Sequence, residues 1–136
     1  MKEEILFIDD EECVRQVAAR MLEKDDFHVT TLESGDQAVE TMAKHPPTIV
    51  FLDIKMPGKS GLEVLRDIKA AAPGVPVVMV SGHMNSNYAL EASKAGACDY
   101  ILKPVDWRYL RNIAHMYAML GKDIVLEPPT PIVSKS

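Results

Sequence analysis

Five residues of complementary chemistry each close a short apolar run: Asp9 and Asp10 after "ILFI", Asp53 after "TIVFL", Ser81 after "VPVVMV" and Lys103 after "DYIL". Three carboxylates brought to one place repel, so a cation must accompany them if all are to stay ionised. Mg²⁺ is the natural choice. It prefers hard oxygen ligands, uses one or two carboxylates and keeps places for water and a phosphoryl oxygen. Lys103 adds a positive charge on a flexible stem. The set suits phosphoryl transfer, with Asp53 as nucleophile, Mg²⁺ and Lys103 neutralising oxygens, and Ser81 donating a hydrogen bond. Taken singly, a strand-end Asp is often only a cap, and Ser-Gly or Lys-Pro only a turn. Their coincidence at four run ends argues for a site.

These residues need elements to hold them together. Apolar runs at 5–9, 28–32, 48–53, 75–81 and 99–103 alternate with helical patterns, the signature of a βα protein. Three of the runs are almost continuously apolar, as strands covered on both faces of a parallel sheet must be. In a doubly wound sheet ligands lie beyond the carboxyl ends of the strands, where these five residues stand. Val14, Val17, Ala18, Met21 and Leu22 mark a first amphipathic helix. Further helices are expected over 35–44, 60–72, 85–95 and 106–120. Pro46, Pro73 and Gly96 supply stops, and Ser60 with Glu63 makes a capping box.

The chain has 136 residues, 47% hydrophobic, enough for one closed core and not comfortably for two. One domain over 1–121 is expected. Residues 122–136, with three prolines in "GKDIVLEPPTPIVSKS", read as a flexible tail or linker. Acids exceed bases by 20 to 15, which argues against a nucleic-acid surface. The start "MKEEILFIDDEE" has too short an apolar run for a signal peptide or membrane span, so the expected location is cytoplasmic, with no membrane contact. Cys13 and Cys98 have no metal or disulfide-framework spacing and read as plain reduced residues.

The pattern Asp9-Asp10, Asp53 followed by "MPG" and Gly61, Ser81-Gly82 and Lys103-Pro104 resembles the receiver domain of bacterial two-component response regulators, over about residues 3–120. The resemblance implies an α/β fold of flavodoxin-like (βα)5 type: a doubly wound five-stranded parallel sheet, order 2-1-3-4-5, with helices on both faces. It implies that Asp53 accepts a phosphoryl group from the phosphohistidine of a sensor histidine kinase or a histidine phosphotransfer protein. The protein would then be a signalling switch that catalyses its own aspartyl phosphorylation and dephosphorylation, not an enzyme acting on a separate substrate.

Carried over by position, Asp10, Asp53 and the backbone carbonyl of Lys55 would ligate Mg²⁺, with Mn²⁺ as a substitute, and Asp9 would act through water. Ser81 would move toward the phosphoryl group and Tyr100 would turn inward behind it, remodelling the face of the fourth helix, fifth strand and fifth helix for an output domain or downstream protein. The Lys103-Pro104 bond is of the kind often cis in this family. Two positions near the site are not fixed by the family: Lys55, two after the acceptor, and His83, two after Ser81, would flank the route of the hydrolytic water, with Lys55 shielding the acyl phosphate.

Three other readings compete. A flavin or nucleotide binder of the same fold would not carry "DDEE" in its first loop without a metal. A dehalogenase-type phosphatase needs an acid where Lys55 stands. A phosphorylation-independent receiver-like interaction module is the remaining alternative, although such modules usually lack part of the acidic set.

In the fifth helix Tyr109, Met116, Met119 and Leu120 spread apolar surface beyond one buried stripe, either as a covered helix end or as a surface for a partner or a phosphorylation-dependent homodimer. Trp107 anchors that helix. His28, His45 and His115 read as surface or capping residues.

Overall fold

A computed structural model of the protein describes residues 2–82 and 85–123, with the side chains of 121–123 left aside; the expected tail from 124 onward and His83 lie outside the described residues. Five strands and five helices alternate along it: β1 (Glu3–Ile8), α1 (Glu12–Lys24), β2 (Phe27–Leu32), α2 (Ala38–Lys44), β3 (Ile49–Leu52), α3 (Gly61–Ala71), β4 (Val77–Ser81), α4 (Ser86–Lys94), β5 (Asp99–Leu102) and α5 (Trp107–Asp123). All strand pairings are parallel and the sheet order is β2-β1-β3-β4-β5. The chain reverses its direction of travel across the sheet between β1 and β3, the kind of position where, in doubly wound sheets, ligands sit beyond the carboxyl ends of the strands.

The continuous apolar runs have a direct physical cause. Successive side chains of a strand point to opposite faces, and here both faces are covered. Ile5, Phe7, Ile49, Phe51, Val78 and Val80 join Ala18 and Leu22 of α1 and Leu110, Ile113 and Ala114 of α5. Leu6, Ile8, Val50, Leu52, Val77 and Met79 join Met42 of α2, Leu65 and Ile68 of α3 and Ala92 of α4. Phe7 and Phe51 are register partners, with ring centroids 5.7 Å apart.

Strand ends are tighter than the apolar runs suggest. Asp9, Asp53 and Lys103 fall one residue beyond β1, β3 and β5, yet the parallel ladder continues through their amides. Asp9 N–H donates to the Leu32 carbonyl at 3.0 Å, Asp53 N–H to Ile8 at 2.9 Å, and Lys103 N–H to Ser81 at 3.1 Å. Each functional side chain therefore hangs from backbone fixed by a neighbouring strand.

Helix boundaries follow their caps. Ser60 Oγ accepts from the Glu63 amide at 3.3 Å while Ser60 N–H donates to Glu63 Oε1 at 3.2 Å, the reciprocal box expected from "SGLE". Asn85 caps α4 by accepting from the Tyr88 amide at 3.0 Å. The second helix starts at Ala38 and not at Gly35. Gly35 is pressed against α3, where a Cβ would come within 2.1 Å of Val64 Cγ2, so residues before Ala38 serve as a packed turn. The fifth helix continues to Asp123, past Gly121, where the sequence pattern ends.

Candidate functional site

Asp53 leaves the buried run Ile49–Leu52 and is itself buried, with 4% of its surface exposed. Its position depends on a close backbone approach. The Gly61 amide donates to the Ile54 carbonyl at 2.7 Å, and a Cβ on Gly61 would stand 2.2 Å from the Asp53 carbonyl oxygen. Only glycine lets the first turn of α3 seat against the acid's own backbone. Gly58, at φ +78, turns the intervening loop.

Asp9 is fully buried beside it. Its Oδ1 accepts from the Glu11 amide at 2.9 Å, and its carbonyl accepts from Arg15 at 2.7 Å. Asp10 is exposed, yet carboxylate oxygens of Asp9, Asp10 and Asp53 all lie within 4.8 Å of one another. The Lys55 amide donates to Asp53 Oδ1 at 3.2 Å, and the residue is exposed. Lys103 follows β5 and precedes a cis bond to Pro104, as the resemblance implies. Its ammonium lies 2.9 Å from Asp9 Oδ2, 3.3 Å from Asp53 Oδ2, and against Glu11 Oε2. Ser81, the last residue of β4, is fully buried.

The charges strain against their surroundings. Burial, more than any neighbour, pushes the Asp9 carboxyl above the ordinary carboxylate range. For Asp53 burial again leads, and the Asp9 charge adds to it. Burial works against the Lys103 ammonium, but hydrogen bonds to Glu11 and Asp9 and the charges of Asp9 and Asp53 overcome it, leaving its pKa raised. One lysine does not fully compensate two buried acids and their exposed neighbours. Asp9 Oδ2, fully buried, has the Lys103 ammonium as its partner at 2.9 Å, a cation that it shares with Asp53 and Glu11. Three carboxylates within 4.8 Å, two of them buried and sharing one lysine, fit a hard divalent cation.

The response regulator receiver domain family matches residues 5–115. The chain belongs to this family. It is a receiver domain of the two-component type, and its relatives are regulators. The transcriptional regulatory protein RstA of Escherichia coli is 42% identical over 99 residues, covering 73% of this chain and 41% of that protein. The nitrogen assimilation regulatory protein NtrX of Azorhizobium caulinodans is 42% identical over 106 residues, covering 76% of this chain and 23% of that protein. The receiver domain thus spans less than half the length of these relatives. Among solved structures, a CheY-like receiver domain protein of Methanospirillum hungatei superposes with TM-score 0.83 at 25% identity, covering 90% of this chain and 99% of that one. The receiver domain of NtrX from Brucella abortus gives TM-score 0.78 at 36% identity, covering 85% and 98%.

All five residues singled out at the run ends stand at the carboxyl edge of this receiver domain's sheet. Tyr100, the expected second switch residue, is half-buried against the core side that carries α3 and α4. Glu11 was not singled out for a role. The acid-rich "DDEE" was the available signal, but its contact with Lys103 crosses ninety-two residues of sequence and depends on the tertiary fold.

Away from the site, His28 and His45 both face Glu4, and His115 pairs with Asp25 at 2.8 Å, all as exposed rings. Cys13 and Cys98 are free. No helix among the described residues is long and apolar enough to cross a membrane.

Proposed function

We propose that this receiver domain is phosphorylated on Asp53 in a Mg²⁺-dependent reaction, by the phosphohistidine of a sensor histidine kinase or a histidine phosphotransfer protein. The observation that carries the reading is the cluster of Asp9, Asp10 and Asp53, with carboxylate oxygens within 4.8 Å of one another and the Lys103 ammonium set against it. A phosphorylation-independent interaction module has no use for this complete and mutually repelling set, and that reading is not favoured.

Asp10, Asp53 and the Lys55 carbonyl would hold Mg²⁺, or Mn²⁺ in its place, and Asp9 would act through water. When bound, the ion supplies positive charge to carboxylate and phosphoryl oxygens. Asp53 Oδ attacks phosphorus; the new O–P bond forms as the P–N bond to the donor imidazole breaks, and the electron pair leaves on that nitrogen. Lys103, held over the acids, neutralises a developing phosphoryl oxygen. The ladder bond from Asp53 to Ile8 keeps the nucleophile at fixed depth, which supplies orientation before the donor arrives.

The acyl phosphate adds about 1.5–2 negative charges to a site already rich in acids. Only contacts absent before transfer make that state favourable, and Ser81, at the end of β4, would move toward the phosphoryl group and donate one. Tyr100 would fill the space behind it, carrying the change to the α4-β5-α5 face. Lys55 shields the acyl phosphate from water in this reading. The surface that changes would engage an output domain or a downstream protein. Exposed Tyr109, Met116 and Met119, the last with 72% of its surface in solvent, suit such a contact or a phosphorylation-dependent homodimer. A cytoplasmic setting goes with this reading.

Incubation with Mg²⁺ and acetyl phosphate, followed by intact mass, tests the phosphoacceptor. One added phosphoryl group is expected, lost in Asp53→Asn. Unmodified parent protein, or modification that survives Asp53→Asn, overturns it.

A further inference from the structure

Glu11 breaks a local rule. It occupies the N-cap of α1, where Ser, Thr, Asp or Asn would accept a backbone hydrogen bond, and its side chain makes no capping bond at all. Its carboxylate is turned instead onto the Lys103 ammonium, which also stands 2.9 Å from Asp9 and 3.3 Å from Asp53. A residue that gives up a favourable local role without an evident structural gain is a candidate for a functional one.

The three partners of Lys103 differ in freedom. Asp9 and Asp53 are buried, with 0% and 4% of their surfaces exposed, and their backbones are tied to neighbouring strands. Glu11 has half of its side chain, 51%, in water. We propose that Glu11 is an electrostatic gate on Lys103: a displaceable carboxylate that occupies the ammonium and repels anionic phosphodonors until the phosphoryl group takes its place. This inference rests on Asp53 being the phosphoacceptor. Glu11 acts through Lys103 and through its charge, as a positioning residue.

When a phosphoryl group arrives, its oxygens and Glu11 compete for one cation. The buried acids cannot withdraw, whereas Glu11, with 51% of its side chain already in water against 16% for Lys103, can rotate into solvent. Until it does, its charge lies within a few ångströms of the donor's path, less than the Debye length of about 8 Å at physiological salt, so the repulsion is felt. Removing the charge while keeping the shape, as Glu11→Gln does, frees Lys103 and lowers the barrier for donors in proportion to their negative charge.

The test compares the parent, Glu11→Gln and Glu11→Asp with Mg²⁺ and either acetyl phosphate, a dianion, or phosphoramidate, which carries less negative charge. Phosphorylation is followed by intact mass. With acetyl phosphate the Asp53 O–P bond forms as the P–O bond to the acyl group breaks, and acetate leaves with the electron pair.

At low ionic strength Glu11→Gln is expected to react about three- to tenfold faster than the parent with acetyl phosphate and to gain less with phosphoramidate. The gain should shrink toward parent as KCl rises to about 0.5 M. Glu11→Asp, which keeps the charge, should stay within about twofold of the parent on the same charge argument. A phosphorylated parent with a Glu11→Gln rate equal or lower overturns the gate and leaves the phosphoacceptor standing. A gain equal for both donors and indifferent to salt overturns it too, since that is what a purely structural change would give. A parent that neither donor modifies overturns both.

Discussion

Lys103 Nζ lies 3.3 Å from Asp53 Oδ2, and the two residues are fifty apart in sequence. The contact is made by two strand ends, each extended by one ladder hydrogen bond beyond the regular strand, with β4 between them in the sheet. It places a cation against a buried acid that a second buried acid already disfavours, so the site stores repulsion that a divalent ion or a phosphoryl group can use.

That stored repulsion has a thermodynamic sign. A buried carboxyl whose pKa is raised destabilises the metal-free fold at neutral pH, where it is forced to ionise. Asp53→Asn, measured by thermal unfolding in EDTA, should therefore be more stable than the parent by about 1 kcal/mol, as relief of a buried like-charge pair would give. Adding Mg²⁺ should raise the Tm of the parent by mass action and leave Asp53→Asn nearly unmoved. A variant less stable than the parent in EDTA would mean that Lys103 more than compensates both acids.

Gly61→Ala should cost about 2 kcal/mol or more, read from urea midpoints at unchanged slope. The added methyl would meet the Asp53 carbonyl oxygen at 2.2 Å and Ile54 Cα at 2.5 Å, backbone atoms that cannot rotate away. The same variant should phosphorylate more slowly, since the shift falls on the acceptor's own backbone. Gly74→Ala, with open space around it, serves as the control.

Asp25 ties the end of α1 to α5. It accepts from Arg111 at 2.7 and 3.1 Å and pairs with His115 at 2.8 Å. The Arg111 hydrogen bonds, then that of His115, hold its carboxyl below the ordinary carboxylate range. A depressed acid contributes stability that is present above its unfolded pKa, near 3.9, and is lost as pH falls through the lower folded value. Asp25→Asn should thus be about 1 kcal/mol less stable than the parent at pH 6, for a partly exposed bidentate pair. The difference should fade below about pH 4. A gap that persists undiminished at pH 2.5 would place the effect in packing.

Phe51 stands two residues before Asp53 on β3, on the face covered by α1 and α5. It is fully buried and pairs with Phe7 across β1 and β3. Phe51→Ala should cost about 3–5 kcal/mol in equilibrium denaturation, the range for emptying an aromatic site in a core. Phe51→Leu should recover most of it while phosphorylation continues, which would separate the strand's role in stability from its role in chemistry.

Much of this molecule was already determined by sequence periodicity, because local patterns constrain local geometry. Continuous apolar runs call for a sheet covered on both faces, and the capping box of Ser60 and Glu63 before an apolar run marks the start of α3. Acids closing apolar runs are bound to gather at the carboxyl edge of a parallel sheet, so Asp9, Asp10, Asp53, Ser81 and Lys103 could be grouped before any coordinates.

Tertiary structure alone decided what depends on distance between elements. Asp9 turns inward and Asp10 outward because β1 ends at Ile8, a one-residue matter that adjacent identical letters cannot express. The start of α2 waited on Gly35 meeting Val64. Glu11 reached Lys103 only once strand register and the entry angle of α1 were set. Periodicity reports which face a residue occupies, but the energy of a charge depends on its separation from other charges, and that separation is fixed by how the elements pack.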